Sequence, residues 1–115
     1  MNLLGPRLAC SVIAVLAVIE SPSAFVSSET FISNCLEASD PLQRAECRGY
    51  ILAIADAINS NVVKGKRVCF PPATAQDDVR EEVSRWVRDH ARVVQRMHGF
   101  GAVYAALIKT YPCGK

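Results

Sequence analysis

Apolar residues recur at intervals of three and four along most of the chain after residue 28, and no stretch alternates long enough to make a useful strand. Phe31, Ile32, Cys35 and Leu36 form one stripe, which predicts a first helix over residues 28–38. Ser39-Asp40-Pro41 interrupts it, with Asp40 placed as an N-cap, Pro41 at the first helical position and Gln43 where a capping box needs it. A second helix over residues 41–61 then turns Leu42, Ala45, Tyr50, Ile51, Ile54 and Ile58 inward. Gly49 within it costs about 1 kcal/mol relative to alanine. Together with Ala53, Ala55 and Ala57 it predicts a close helix crossing on that face.

Lys64-Gly65-Lys66-Arg67 ends the second helix as a basic loop. Val68-Cys69-Phe70-Pro71-Pro72 must then run extended, because proline locks φ and lacks an N–H. Thr74 is the expected cap of the third helix, with Asp77 and Asp78 in the first turn, where the helix dipole favours negative charge. Val79, Val83, Trp86, His90, Val94, Met97, Gly101, Tyr104, Ile108 and Tyr111 carry the helical period on to Pro112. One long helix and two helices broken near residues 89–91 both fit that run, and Gly99 and Gly101 weaken its second half. The expected architecture is an all-α, disulfide-stapled bundle of about four helices.

The first residues follow a different pattern. Arg7 precedes an apolar run from Leu8 to Ile19, broken by Ser11 alone, and the small residues Ser21, Ser23 and Ala24 follow Glu20. This is the layout of a secretory signal, read here as residues 1–24 with cleavage between Ser23 and Ser28. The run is too short to cross a bilayer, which takes about 20 apolar residues, so no stable membrane anchor is expected after cleavage. Cys10 precedes the apolar run's centre, unlike a lipoprotein cysteine. The expected mature domain, residues 25–115, is small for a self-sufficient core. It keeps Cys35, Cys47, Cys69 and Cys113, an even set that in an exported domain reads as two disulfides and places the protein in an oxidising compartment. Gaps of 11, 21 and 43 residues between them contain no close ligand pair for zinc. Spacing leaves three pairings open. A helical hairpin between the first two helices would join Cys35 to Cys47 and leave Cys69 for Cys113.

Candidate chemistry is sparse. His90 and His98 stand about two turns apart on a helix, with neither a carboxylate pair nor a phosphate loop beside them. His90 falls on the apolar stripe and is expected to be packed and hydrogen-bonded, His98 to lie at the surface. Trp86 is expected to pack in the core, and Tyr50, Tyr104 and Tyr111 to flank it. Arg85, Arg88, Arg92 and Arg96 could form a basic stripe, but Glu81 and Asp89 are interleaved with them, which suits solvated ion pairs. A formal net charge of +2 and few aromatics give no nucleic-acid signature. No catalytic, cofactor-binding or metal-binding set is expected.

Cys47-Arg48-Gly49-Tyr50-Ile51, followed by Asp56-Ala57, resembles the Rap/Tai family of immunity proteins, which protect bacteria from amidase effectors of type VI secretion. Cys35 upstream, Cys69 with Pro71, Gln76 and the terminal Pro112-Cys113 match the same pattern, so the resemblance spans the whole expected mature chain. The sequence departs from it at Ala91, where a proline often follows the histidine, and at Gly99 and Gly101. The resemblance implies a periplasmic, all-helical, non-enzymatic domain, often dimeric, that occludes the groove of a peptidoglycan amidase with a protruding loop and the neighbouring helix surface. Lys64, Lys66, Arg67 and Phe70 on the proline-stiffened loop, with Arg85 and Arg88 on the third helix, are the expected partner contacts. A helical periplasmic chaperone without a dedicated effector is the alternative of a different class.

Overall fold

A computed structural model of the chain describes residues 25–36 and 39–114. Among these residues five helices follow one another: α1 (Ser28–Cys35), α2 (Pro41–Asn59), α3 (Gln76–Asp89), α4 (Ala91–Val94) and α5 (Gly99–Thr110). Two isolated β-bridges are the only extended pairings among them, so the fold is the expected all-α, disulfide-stapled bundle with one short helix more than foreseen. The export signal read over residues 1–24 lies outside the described residues.

Local chemistry starts and stops the helices. The Ser27 hydroxyl accepts the Thr30 N–H at 3.0 Å to open α1, and the Asp40 carboxylate accepts the Leu42 N–H at 2.9 Å to open α2 with Pro41 at its first turn. α2 ends where Asn61 turns left-handed at φ 62°, a conformation asparagine tolerates better than most residues. The cap of α3 differs from expectation. Ala75 holds the N-cap position without a side-chain bond, and the Thr74 hydroxyl instead donates to the Pro71 carbonyl at 2.6 Å, closing the turn after the prolines.

α3 packs against α1, α2 and α5. Its Val79, Val83 and Val87 share one core with Phe31 and Cys35 of α1, Ile51, Ile54 and Ile58 of α2, and Ala102, Val103, Ala106 and Leu107 of α5. The inward face of α2 is set by Cys47, Ile51, Ile54, Ala55 and Ile58. That choice overturns part of the expected stripe: Leu42 is 65% exposed, and Ala45 and Ala53 face solvent. Gly49 lies two residues from both Cys47 and Ile51, about 200° around the helix from each, and a Cβ there would meet nothing within 4 Å. The close crossing predicted at Gly49 is absent.

The helical run after Val79 is broken twice. α3 ends at His90, whose φ of −110° and ψ of 27° leave the helix, and the chain bends again between α4 and α5. Each break resets the phase of the apolar stripe. Met97, expected inside, is 38% exposed, while α5 buries Ala102, Val103, Ala106 and Leu107 and leaves Gly101 and Tyr104 half-buried. His90 is exposed instead of packed, although its Nδ1 lies 2.8 Å from the Trp86 carbonyl and its ring stacks on Trp86 at 3.9 Å. Trp86, Tyr50, Tyr104 and Tyr111 pack half-buried against the core.

The second break brings Gly99 against the N-terminal segment. Its N–H bonds the Val26 carbonyl, Ser27 bridges His98, and a Cβ on Gly99 would come within 3.0 Å of that same carbonyl and of the Tyr50 hydroxyl. The two glycines should therefore respond in opposite directions. Gly49→Ala should stabilise the fold by about 0.5–1 kcal/mol through helix propensity, and Gly99→Ala should destabilise it by about 1–3 kcal/mol through overpacking. Denaturant midpoints of the two variants check both signs.

Candidate partner-binding surface

Residues 60–75 join α2 to α3, and this basic connection is tied down at several points. The Asn59 side-chain amide donates to the Val68 carbonyl at 2.9 Å and accepts the Val68 N–H at 3.0 Å, so one side chain satisfies both backbone groups of a residue only 2% exposed. On its other side Val68 bridges Pro112, and the Cys69 N–H donates to the Tyr111 carbonyl at 3.0 Å. A disulfide joins Cys69 to Cys113 with Cα atoms 4.9 Å apart. Gly65, at φ 141°, lies against the tip of the Tyr104 side chain, where a Cβ would come within 2.8 Å of the hydroxyl. The backbone conformation favours glycine there.

The cations of this loop differ from those of α3. Lys64, Lys66 and Arg67 are exposed and make no ion pair among the described residues, and no acidic residue occurs between Asp56 and Asp77. Lys66 and Arg67 line a 460 Å³ groove together with Ile108, Pro112, Cys113 and Gly114. Arg85 and Arg88 are also exposed, but Glu82 holds Arg85 at 2.7 Å and Asp89 holds Arg88 at 3.0 Å. They border a different groove of 270 Å³, shared with Leu36, Arg44, Arg80 and Glu81. The six expected contacts thus fall into two separate places. Phe70 is half-buried, its ring edge-on to Tyr111 at 4.9 Å, and serves as an anchor of the loop. Burial, reinforced by the nearby Glu82 and Asp78 charges, raises the Tyr111 pKa, so its phenol stays protonated.

Two features carried no signal in the sequence. Asn59 is one asparagine near a helix end, and only the fold brings Val68 to it. Arg80, surrounded by exposed charges in the chain, is 7% exposed and donates Nη1 to the Cys35 carbonyl at 3.0 Å and Nε to Asp77 at 2.9 Å. Asp77 is held below the ordinary carboxylate range chiefly by the Arg80 hydrogen bond, with the Arg80, Arg48 and Arg44 charges acting the same way against desolvation. A further groove of 540 Å³ opens between α1 and α4, with Glu29, Ile32, Ala91, Arg92 and Val94 among its lining residues.

All four cysteines from Cys35 onward are joined in disulfides, so none of them offers a thiolate. His98 is exposed and pairs with the Phe25 ring at 5.0 Å, remote in role from the Trp86-bound His90. Among the described residues no three His, Cys, Asp or Glu side chains gather as a metal site, and no helix is long and apolar enough to cross a membrane. What the surface offers is shape and charge. A family model described as Rap1a immunity proteins matches residues 27–113. No curated protein and no solved structure gives a significant match.

The Arg80–Asp77 contact makes a pH-dependent contribution of defined sign. A lowered native pKa means the stabilisation is complete above the ordinary carboxylate value of about 3.9 and is lost as pH falls through the lowered one. Asp77→Asn should accordingly be less stable than the wild type at pH 7, and the difference should shrink towards pH 2. Urea midpoints measured across that range test the sign; a difference that persists unchanged into acid would refute the assignment.

Proposed function

The chain belongs to the Rap1a immunity protein family, and from that membership we propose that it is a periplasmic inhibitor that binds a peptidoglycan amidase effector of type VI secretion and blocks its groove. An immunity protein acts on a protein effector, and it needs a stable surface, not a reaction centre. The two disulfides fit an oxidising compartment such as the periplasm.

The observation that carries the contact surface is the unpaired charge of Lys64, Lys66 and Arg67 on a loop held by Asn59, by Cys113 and by the turn at Pro71. A loop already ordered loses little conformational entropy on docking. Its cations attract an acidic partner surface without first leaving an internal partner. Arg85 and Arg88 must give up or share Glu82 and Asp89 to do the same, so they contribute less as contacts.

Capture with the oxidised domain spanning residues 25–115, followed by a peptidoglycan hydrolysis assay on the bound protein, tests the reading. The expected result is a stoichiometric complex in which hydrolysis stops. Capture of no amidase from a strain encoding one in the neighbouring gene would sink the amidase assignment, and dye-binding apolar surface appearing only near pH 3 with no saturable partner would favour the chaperone instead. The triple variant Lys64→Glu, Lys66→Glu, Arg67→Glu should retain the helical signal and associate about tenfold or more slowly at low salt. Arg85→Ala with Arg88→Ala should change the rate less. Stopped-flow association at several salt concentrations separates the two sets.

A further inference from the structure

The two disulfides sit in unlike surroundings. Cys35 and Cys47 are 2% and 4% exposed and belong to the core. Cys69 is exposed and Cys113 half-buried, and Cys113 shares the wall of the basic groove with Lys66 and Arg67. Among the described residues, the segment beyond Tyr111 is otherwise held by the bridge of Val68 to Pro112, next to the bond from Cys69 to the Tyr111 carbonyl. By contrast, Val68 is held from the side of α2 by both bonds to Asn59, which do not involve the disulfide.

We propose that the Cys69–Cys113 bond is a redox latch on the basic loop, opened by a small dithiol reductant while Cys35–Cys47 stays closed. A thiolate of the reductant attacks Sγ of Cys69, the more exposed half-cystine. The S–S bond breaks and its electron pair leaves on Sγ of Cys113, which lines the same groove as Lys66 and Arg67. The reductant's second thiol then attacks the mixed disulfide and releases Cys69. The reductant ends as a cyclic disulfide, and its two thiol protons end on the two cysteines.

With the latch open, residues 112–114 leave the groove, which Lys66, Arg67 and Ile108 then line without them. The helices remain, because their core contacts and the Cys35–Cys47 bond are untouched. If the loop is the contact surface proposed above, partner association weakens on reduction. The latch itself is tested without any partner, so its failure and the failure of that functional reading are separable.

The oxidised protein is titrated with dithiothreitol at neutral pH, quenched by alkylation and mapped by mass spectrometry, with circular dichroism and amide exchange followed on the same samples. Cys69 and Cys113 should be alkylated about tenfold or more sooner than Cys35 and Cys47, with the helical signal retained, exchange accelerated at the Cys69 amide that donates to Tyr111, and the Val68 amide still protected by Asn59. Simultaneous modification of all four cysteines, or modification of Cys35 and Cys47 first, overturns the proposal. A Cys69→Ser, Cys113→Ser variant reads the open state directly. It should keep the helical signal and exchange its loop as fast as the selectively reduced protein. Loss of the helices in that variant, or a loop as protected as in the oxidised wild type, overturns the latch as well.

Discussion

A guanidinium taken out of water must have its N–H groups matched, or its burial costs several kcal/mol. Arg80 meets that demand with the Cys35 carbonyl at 3.0 Å and both oxygens of Asp77 at 2.9 and 3.3 Å. Cys35 is the last residue of α1, and its sulfur is bonded to Cys47 of α2. One corner therefore fixes three helices against each other: α1 through its terminal carbonyl, α2 through the disulfide, and α3 through the arginine. The valine face of α3 is then aimed into the space between Phe31 and the isoleucines of α2, where the rest of the core assembles.

Much follows from having α3 held this way. It packs against α1, α2 and α5, and α5 rests on all three of the other long helices. The end of α5 in turn supplies Tyr111, Pro112 and Cys113, which form the outer wall of the loop between α2 and α3. The loop is thus suspended between the end of α2, through Asn59, and the end of α5, through the second disulfide. Its rigidity comes from both ends of the fold and not from local propensity.

The charges divide along the same line. The α3 positions Arg80 and Arg85 pair with carboxylates one turn back on their own helix, which stabilises it, and Arg88 is held by the adjacent Asp89. The loop between Asn61 and Gln76 has no acidic neighbour in sequence, and its three cations remain uncompensated. The contact surface proposed above is thus an ordered element carrying unpaired charge, and membership of an immunity family implies a protein effector as partner.

The helical character, the starts of α1 and α2, the four bonded cysteines and the basic, proline-stiffened loop were all legible in the residues, because caps, prolines and periodicity act within a few positions. The Cys35–Cys47 and Cys69–Cys113 pairing also agrees with what a hairpin of the first two helices implies. Tertiary structure alone decided the rest. Gly49 looked like a packing site and faces open solvent, because the inward side of α2 is chosen by Cys47 and Ile51 and not by the nearest small residues. His90 and Met97 kept the helical period and still came out exposed, since that period reports a buried face only along an uninterrupted helix, and two breaks reset it. Arg80 finds its carbonyl 45 residues away, and Asn59 finds its strand-like partner across a loop. Contacts of that kind depend on where whole helices come to rest, which no local pattern of side chains encodes.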